Sequence, residues 1–205
     1  MIDLPRLIAC GIGPSTARAF AEPLAIACVQ FGIASVEQQA CFIAQAMHES
    51  RDFTHLEESL WYRTPETIKS AFKRLRVLSQ AELLALCRNP KGLALAAYSN
   101  LNGNGPASSG DGWTYRGAGP FQLTGLANFI ACGNALDRPF AQHPELLRVP
   151  GLDAALSAAW FFNSKGCNEL MAAGQFDACT KKINGGTNGQ KERRALFSVC
   201  LEALR

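Results

Sequence analysis

Residues 35–62 read SVEQQACFIAQAMHESRDFTHLEESLWY. The spacing predicts a helix that begins at Ser35, with Ser35 as N-cap and Gln38, three residues later, completing a capping box. Ala40, Ile43, Ala44 and Met47 recur at helical spacing and define an apolar face. Gln38, Gln45 and Glu49 lie on the opposite face, interrupted by Phe42. A helix with so narrow a polar stripe is largely buried, which puts Glu49 at the edge of a core. Glu58 follows nine residues later, beyond a loop. Two carboxylates across a groove are the equipment of glycosidic-bond hydrolysis, one as general acid and the other as base or nucleophile. Spacing alone favours an ordinary solvated glutamate at Glu49, so the rest of the chain must decide.

The chain has 205 residues, 48% of them hydrophobic and 18% charged, enough apolar content for one medium domain with a sizeable core. One domain over 1–205 is expected, with N-terminal helices in 1–34 and the core in 35–205. The net charge of +3 suits contact with an anionic polymer but is too small to argue for nucleic acid. Eight cysteines occur without a CxxC pair. Zinc-ligand spacing is therefore absent, and the cysteines read as small buried hydrophobes of a protein made in a reducing compartment. Asp3, Pro5, Arg6, Gly11, Gly13 and Pro14 interrupt the N-terminal segment, so neither a signal peptide nor a membrane span is expected.

Helices are expected over 3–10, from Ser15 or Thr16 up to Pro23, over Leu24–Phe31, and from Thr64-Pro65 through Leu75, where the basic residues form a solvated face. Others are expected from Ser79 to Asn89, over 92–98, from Asn128, over Ala154–Phe162, over Gln175–Ile183 and over Gly189–Leu204. The glycine-rich segment Asn100–Gly119 reads as a functional loop. In Pro120–Gly125, alternation predicts a short strand that buries Phe121 and Leu123 and turns Gln122 and Thr124 toward a groove.

The ordered set MHESRDF, LEESLWY, YSNLNGNG, GDGWTYRGAGPFQLTG, AAWFFNSKGCN and INGG resembles glycoside hydrolase family 19 over roughly 35–197. The likeness is to its phage-type lysozymes (endolysins), with chitinases as the other branch. Each motif alone is weak, and the ordered set is specific. The resemblance implies a mainly α, lysozyme-like (α+β) fold with a substrate cleft and a small β element. It implies inverting hydrolysis of β-1,4-linked N-acetylated sugar polymers without metal or cofactor. Glu49 falls at the general acid and Glu58, rather than its neighbour Glu57, at the general base. Thr124 falls at the residue that orients the attacking water. Gln122, Asn128, Tyr62, Asn184 and Arg194 fall at substrate-contacting positions, although Arg193 lies nearer the apolar face of its helix. Trp61, Trp113 and Tyr115, with Tyr62, offer flat faces to sugars or pack in the core. An inverting geometry implies carboxyls about 6.5–9.5 Å apart.

The sequence departs from the family where Arg51-Asp52 replace two glycines, where Ala118 replaces an arginine, and at Pro120-Phe121. These changes bear on loop geometry and substrate preference, and Ala118 removes a possible sugar contact. His48-Glu49 opens like a zinc-protease HExxH, but position 52 is Asp52. A Cys-His hydrolase has no supporting pattern. The expectation is a monomeric muramidase acting on the β-1,4 bonds of peptidoglycan glycan strands. It would be held in the bacterial cytoplasm until a holin-like membrane permeabiliser releases it to the periplasm and cell wall. No nucleic acid is expected as partner. The alternatives are a family 19 chitinase, a lytic transglycosylase, a delivered antibacterial wall toxin and a non-catalytic glycan-binding module.

Overall fold

The computed structural model describes residues 2–205. The chain opens with α1 (Leu4–Ala9), whose N-cap Asp3 accepts from the Arg6 N–H at 2.9 Å. Then come α2 (Pro14–Gln30) and α3 (Val36–Ser50). The Ser35/Gln38 capping box forms as expected and fixes where α3 begins.

Pro23 does not divide α2, as the sequence reading had it; it lies inside one continuous helix that starts at Pro14. An interior proline costs about 3 kcal/mol. Phe20, Leu24, Ala27 and Cys28 bury the face of α2 that packs on α9 (Leu152–Ser164). Burial of Phe20 and Leu24 alone contributes about 3–6 kcal/mol, which outweighs the missing hydrogen bond.

After the central helix come α4 (Pro65–Ala71), a 3₁₀ turn at Lys73–Val77, α5 (Gln80–Leu86) and α6 (Pro90–Tyr98). The glycine-rich segment holds a 3₁₀ turn and the short α7 (Asp111–Thr114), so it is not wholly loop. Its polar side chains tie it down. Asp111 accepts from the Gly105 N–H at 2.7 Å. Asn104 donates to the Tyr98 carbonyl at 3.0 Å and accepts from the Leu126 N–H at 2.8 Å. Then follow α8 (Leu126–Leu136), α9, α10 (Cys167–Ala172), which the sequence did not signal, α11 (Phe176–Asn184) and α12 (Gln190–Leu204). α12 lies along α3 in the most extensive helix pair.

The apolar side chains form two separate cores. The larger draws on α1–α3 and α8–α12. The smaller is built from Leu60, Ile68, Leu75, Leu83, Leu93, Ala94 and Ala97. Leu56 belongs to the first and Leu60 to the second, so the segment carrying Glu58 crosses the seam between them.

The β element is reduced, among the described residues, to two isolated bridges, Glu57 with Ala118 and Ala118 with Leu123. The strand expected at 120–125 is instead a tight turn, with Gln122 at φ 51°. Its sidedness is as alternation required: Phe121 and Leu123 are buried and Gln122 and Thr124 are half-buried.

Candidate active site

Glu49 ends α3, and the chain leaves the helix through three consecutive left-handed residues, Arg51, Asp52 and Phe53, with φ of 48°, 58° and 62°. This is the point where the sequence departs from a glycine pair. The buried Phe53 ring, 4.9 Å from that of Phe20, anchors the turn. That packing offsets a conformation which costs a non-glycine residue about 1–2 kcal/mol. The turn carries the chain from Glu49 to Glu58.

The Glu49 carboxylate is paired with Arg193 of α12, not with Arg194. Arg193 is 2% exposed and donates a second bond to Gln45 Oε1 at 2.6 Å; Gln45 Nε2 in turn donates to Thr180 Oγ1 at 2.7 Å. A buried line of polar groups from α11 through α12 to α3 thus fixes the direction of Glu49. His48 packs edge-on against Gly189 at the start of α12, where a Cβ would come within 2.4 Å of Nε2. Burial and then the Arg193 charge lower the His48 pKa, against the opposing pull of Glu49 and Glu192. Arg194 lies on the exposed side, paired with Asp177 and stacked over Phe176, away from both acids.

Glu58 is held from the other side of the seam. Tyr98 Oη donates to Glu58 Oε1 at 2.6 Å, and the Gly117 N–H donates to Oε2 at 3.2 Å. The Glu58 N–H donates to the Gly117 carbonyl at 2.9 Å, so backbone and side chain are gripped by the same residue. Gly117 has no room for a side chain: a Cβ would meet Gln122 Oε1 at 2.8 Å and Glu58 Cβ at 3.0 Å. Burial, then the Glu58 charge, drive the Tyr98 phenol pKa far up, so that it stays a donor. The same two causes raise that of Tyr62, whose ring sits edge-on to Phe72.

Glu57 turns away and pairs with Arg116, which lies 3.8 Å over the Trp113 ring. Trp113 is therefore covered on one face. Tyr115 is packed on Phe129 and donates to the Ala141 carbonyl at 2.8 Å. Trp61, at 55% exposed, is the open ring of the four aromatics.

Gln122, Thr124 and Asn128 line a cleft of about 450 Å³ together with Trp160, Lys165 and Ile183. Glu49 and Glu58 do not line it; Glu58 reaches it through its neighbour Gln122. Thr124 Oγ1 donates to the Gln122 carbonyl at 2.9 Å, and Asn128 Nδ2 donates to the Thr124 carbonyl at 2.7 Å. Asn184 follows Ile183 and donates to the Asn188 carbonyl at 3.1 Å, closing the turn into α12. Ala118, expected to be a lost sugar contact, is 1% exposed and belongs to the large core rather than the cleft.

Sequence reasoning does not find Tyr98, Gly117, Trp160 or Lys165, and it weighs Arg193 only against Arg194. The family resemblance points to Arg194. The position of Arg193 nearer the apolar face was the signal that it points inward, toward α3.

No protein-family model matches the chain. Over 174 residues, 83% of this chain and 82% of the relative, it is 34% identical to a glycosyl hydrolase family 19 domain-containing protein of Haemophilus influenzae. The chain belongs to glycosyl hydrolase family 19. A shorter similarity, 32% identity over 91 residues and 35% of each chain, links it to Chitinase 8 of Oryza sativa subsp. japonica. The fold matches that of a bacterial family 19 chitinase with a TM-score of 0.58 at 18% identity, covering 89% of this chain and 85% of that one. It also matches a class IV family 19 chitinase from Zea mays, with a TM-score of 0.57 at 20% identity over 92% and 80% of the two chains. The mainly helical, lysozyme-like architecture of this family 19 chain is thus shared with both.

No group of three or more metal-ligating side chains occurs among the described residues. Seven of the eight cysteines are buried and Cys87 is partly exposed. No described helix is long and apolar enough to cross a membrane.

Proposed function

We propose that this family 19 glycoside hydrolase is a peptidoglycan-cleaving N-acetylmuramidase. It would act after a separate membrane-permeabilising protein gives it access to the wall. Glu49 donates a proton to the glycosidic oxygen. Glu58 takes a proton from a water on the opposite face of the sugar, and that water forms the new bond to the anomeric carbon as the glycosidic bond breaks. The product is inverted, and solvent returns the two carboxyls to their starting states. Thr124 accepts from the attacking water, and Gln122 and Asn128 hold the acetamido sugar beside it. Asn184 fixes the turn on the far side, and Tyr62 bounds the Glu58 end.

The observation that carries this reading is the separate bracing of the two acids. Glu49 is set by Arg193 and Glu58 by Tyr98 with Gly117. Independent supports of this kind suit two groups that do different work.

The chitinases named among the relatives favour chitin as a second substrate reading, served by the same two acids. Mass spectrometry of products formed in heavy-oxygen water tests both. Digestion of peptidoglycan is expected to leave a reducing MurNAc end with one heavy oxygen, absent with Glu49→Gln. A labelled GlcNAc end would move the cut to the other bond. An unlabelled anhydro-MurNAc would replace hydrolysis with transglycosylation. Turnover of chitin oligomers alone would give the chitinase reading.

A further inference from the structure

Charge is distributed unevenly between the two lobes. Residues 63–98, which build the small lobe, hold seven bases and two acids, net +5, in a chain whose whole net charge is +3. The remainder therefore carries −2. Lys69, Lys73, Arg74 and Arg76 come from α4 and the following turn, and Arg63, Arg88 and Lys91 come from either side of α4–α5. All but Lys69 are exposed, and none pairs with a carboxylate among the described residues.

The lobe's own acids are occupied. Glu82 accepts from the Ser79 N–H at 2.8 Å and from its hydroxyl at 2.6 Å, capping α5. Glu66 lies in the first turn of α4, where its own backbone N–H and then the Thr64 hydroxyl hold its carboxyl below the usual range. Elsewhere five of the nine arginines are matched to acids: Arg6 to Asp3, Arg116 to Glu57, Arg138 to Asp153, Arg193 to Glu49 and Arg194 to Asp177. The small lobe is thus a positive field without internal counterions.

That field begins close to Glu58. Trp61 and Arg63, both exposed, come three and five residues after Glu58, and the Arg88 N–H donates to the Tyr62 carbonyl at 2.7 Å. We propose that the basic small lobe is a docking surface for the carboxylate-bearing stem peptides of peptidoglycan, joined to the Glu58 segment through Trp61 and Arg63. Chitin has no such charges, so the surface selects the anionic wall polymer over the neutral one. This rests on the reading of the chain as a wall glycosidase. Continuity with Glu58 favours a glycan-linked anion over a nucleic acid or a lipid surface.

The test is a triple reversal, Lys73→Glu, Arg76→Glu and Lys91→Glu, beside its neutral counterpart with three glutamines. Thermal unfolding establishes that both fold. Binding to purified sacculi is measured in the Glu49→Gln background, and hydrolysis in the active one. The wild-type surface is expected to bind about tenfold more weakly when NaCl rises from about 50 to about 500 mM. The reversal is expected to raise KM for sacculi about tenfold or more, with kcat and the hydrolysis of neutral chitin oligomers unchanged, and the glutamine variant to fall between. Unchanged KM and no salt dependence would overturn the proposal. So would tighter binding to duplex DNA or to anionic vesicles than to sacculi at equal salt. Salt-dependent binding without release of sugar ends would leave the surface standing and sink the muramidase reading instead.

Discussion

Replacing Arg193 with methionine isolates the buried polar line that aims Glu49. The guanidinium is 2% exposed and serves Glu49 and Gln45 at once. Its removal leaves Gln45 Oε1, on a fully buried residue, without a donor, at a cost of about 1–3 kcal/mol. Breaking a buried ion pair costs about 3–5 kcal/mol in total. The Glu49 side chain is 25% exposed and rehydrates in part, which lowers the figure to about 2–4 kcal/mol. For a chain of this length that is a melting temperature lower by about 5–12 °C. Thermal unfolding followed by far-UV circular dichroism reads it. Adding Gln45→Met and Thr180→Val removes the stranded acceptor together with the buried hydroxyl it serves, and is expected to recover about half of the loss. Arg193→Met melting within about 2 °C of the wild type, or a triple variant no more stable than the single one, would refute the reasoning that an unpaired buried partner sets the cost.

Tyr98→Phe deletes one donor onto Glu58 without changing shape; kcat is expected to fall about 10–100-fold with the melting temperature nearly unchanged, and an unaltered kcat would remove Tyr98 from the machinery. Arg51→Gly and Asp52→Gly relieve exposed left-handed residues, and each is expected to stabilise the fold by about 0.5–1 kcal/mol in urea unfolding; destabilisation would mean the side chains contribute more than the backbone costs. Burial pushes the Cys28 and Cys132 thiols up to about 12, above their unfolded value, so the unfolded chain ionises first. Their contribution is complete below pH ~9 and declines from there toward pH ~12, by about 1.4 kcal/mol each at pH ~10, visible as a falling urea midpoint. In the folded protein a thiol reagent is expected to modify Cys87 quickly and the seven buried cysteines only on unfolding; rapid reaction of several would contradict the packing.

The central helix was legible because its signals are local: a capping box and a regular apolar face. Turn chemistry was less so. Nothing in Arg51-Asp52-Phe53 announces three left-handed residues, because the cause, the Phe53 ring against Phe20, lies far off in sequence. Pro23 misled because a local rule about proline lost to the tertiary burial of Phe20 and Leu24. The choice between Arg193 and Arg194 depended on the rotation of α12 against α3, which counting from a motif does not supply. Tyr98 was missed because its partner is 40 residues away and its own segment reads as plain helix. The sidedness of Gln122 and Thr124 survived the loss of the strand because a tight turn still sends neighbouring side chains to opposite sides.

The seam beneath Glu58 makes heat tolerance of the chemistry distinct from heat tolerance of the fold. Glu49 and its braces belong wholly to the large core, whereas Glu58 leans on Tyr98 and Leu60 of the small one. The small core has few buried side chains, so it is the part that opens first as temperature rises. When it does, Glu58 loses the Tyr98 anchor while Glu49 stays in place. With the roles proposed for the two acids, activity is expected to be lost while most of the helices are still folded, and on cooling only one small lobe has to close again.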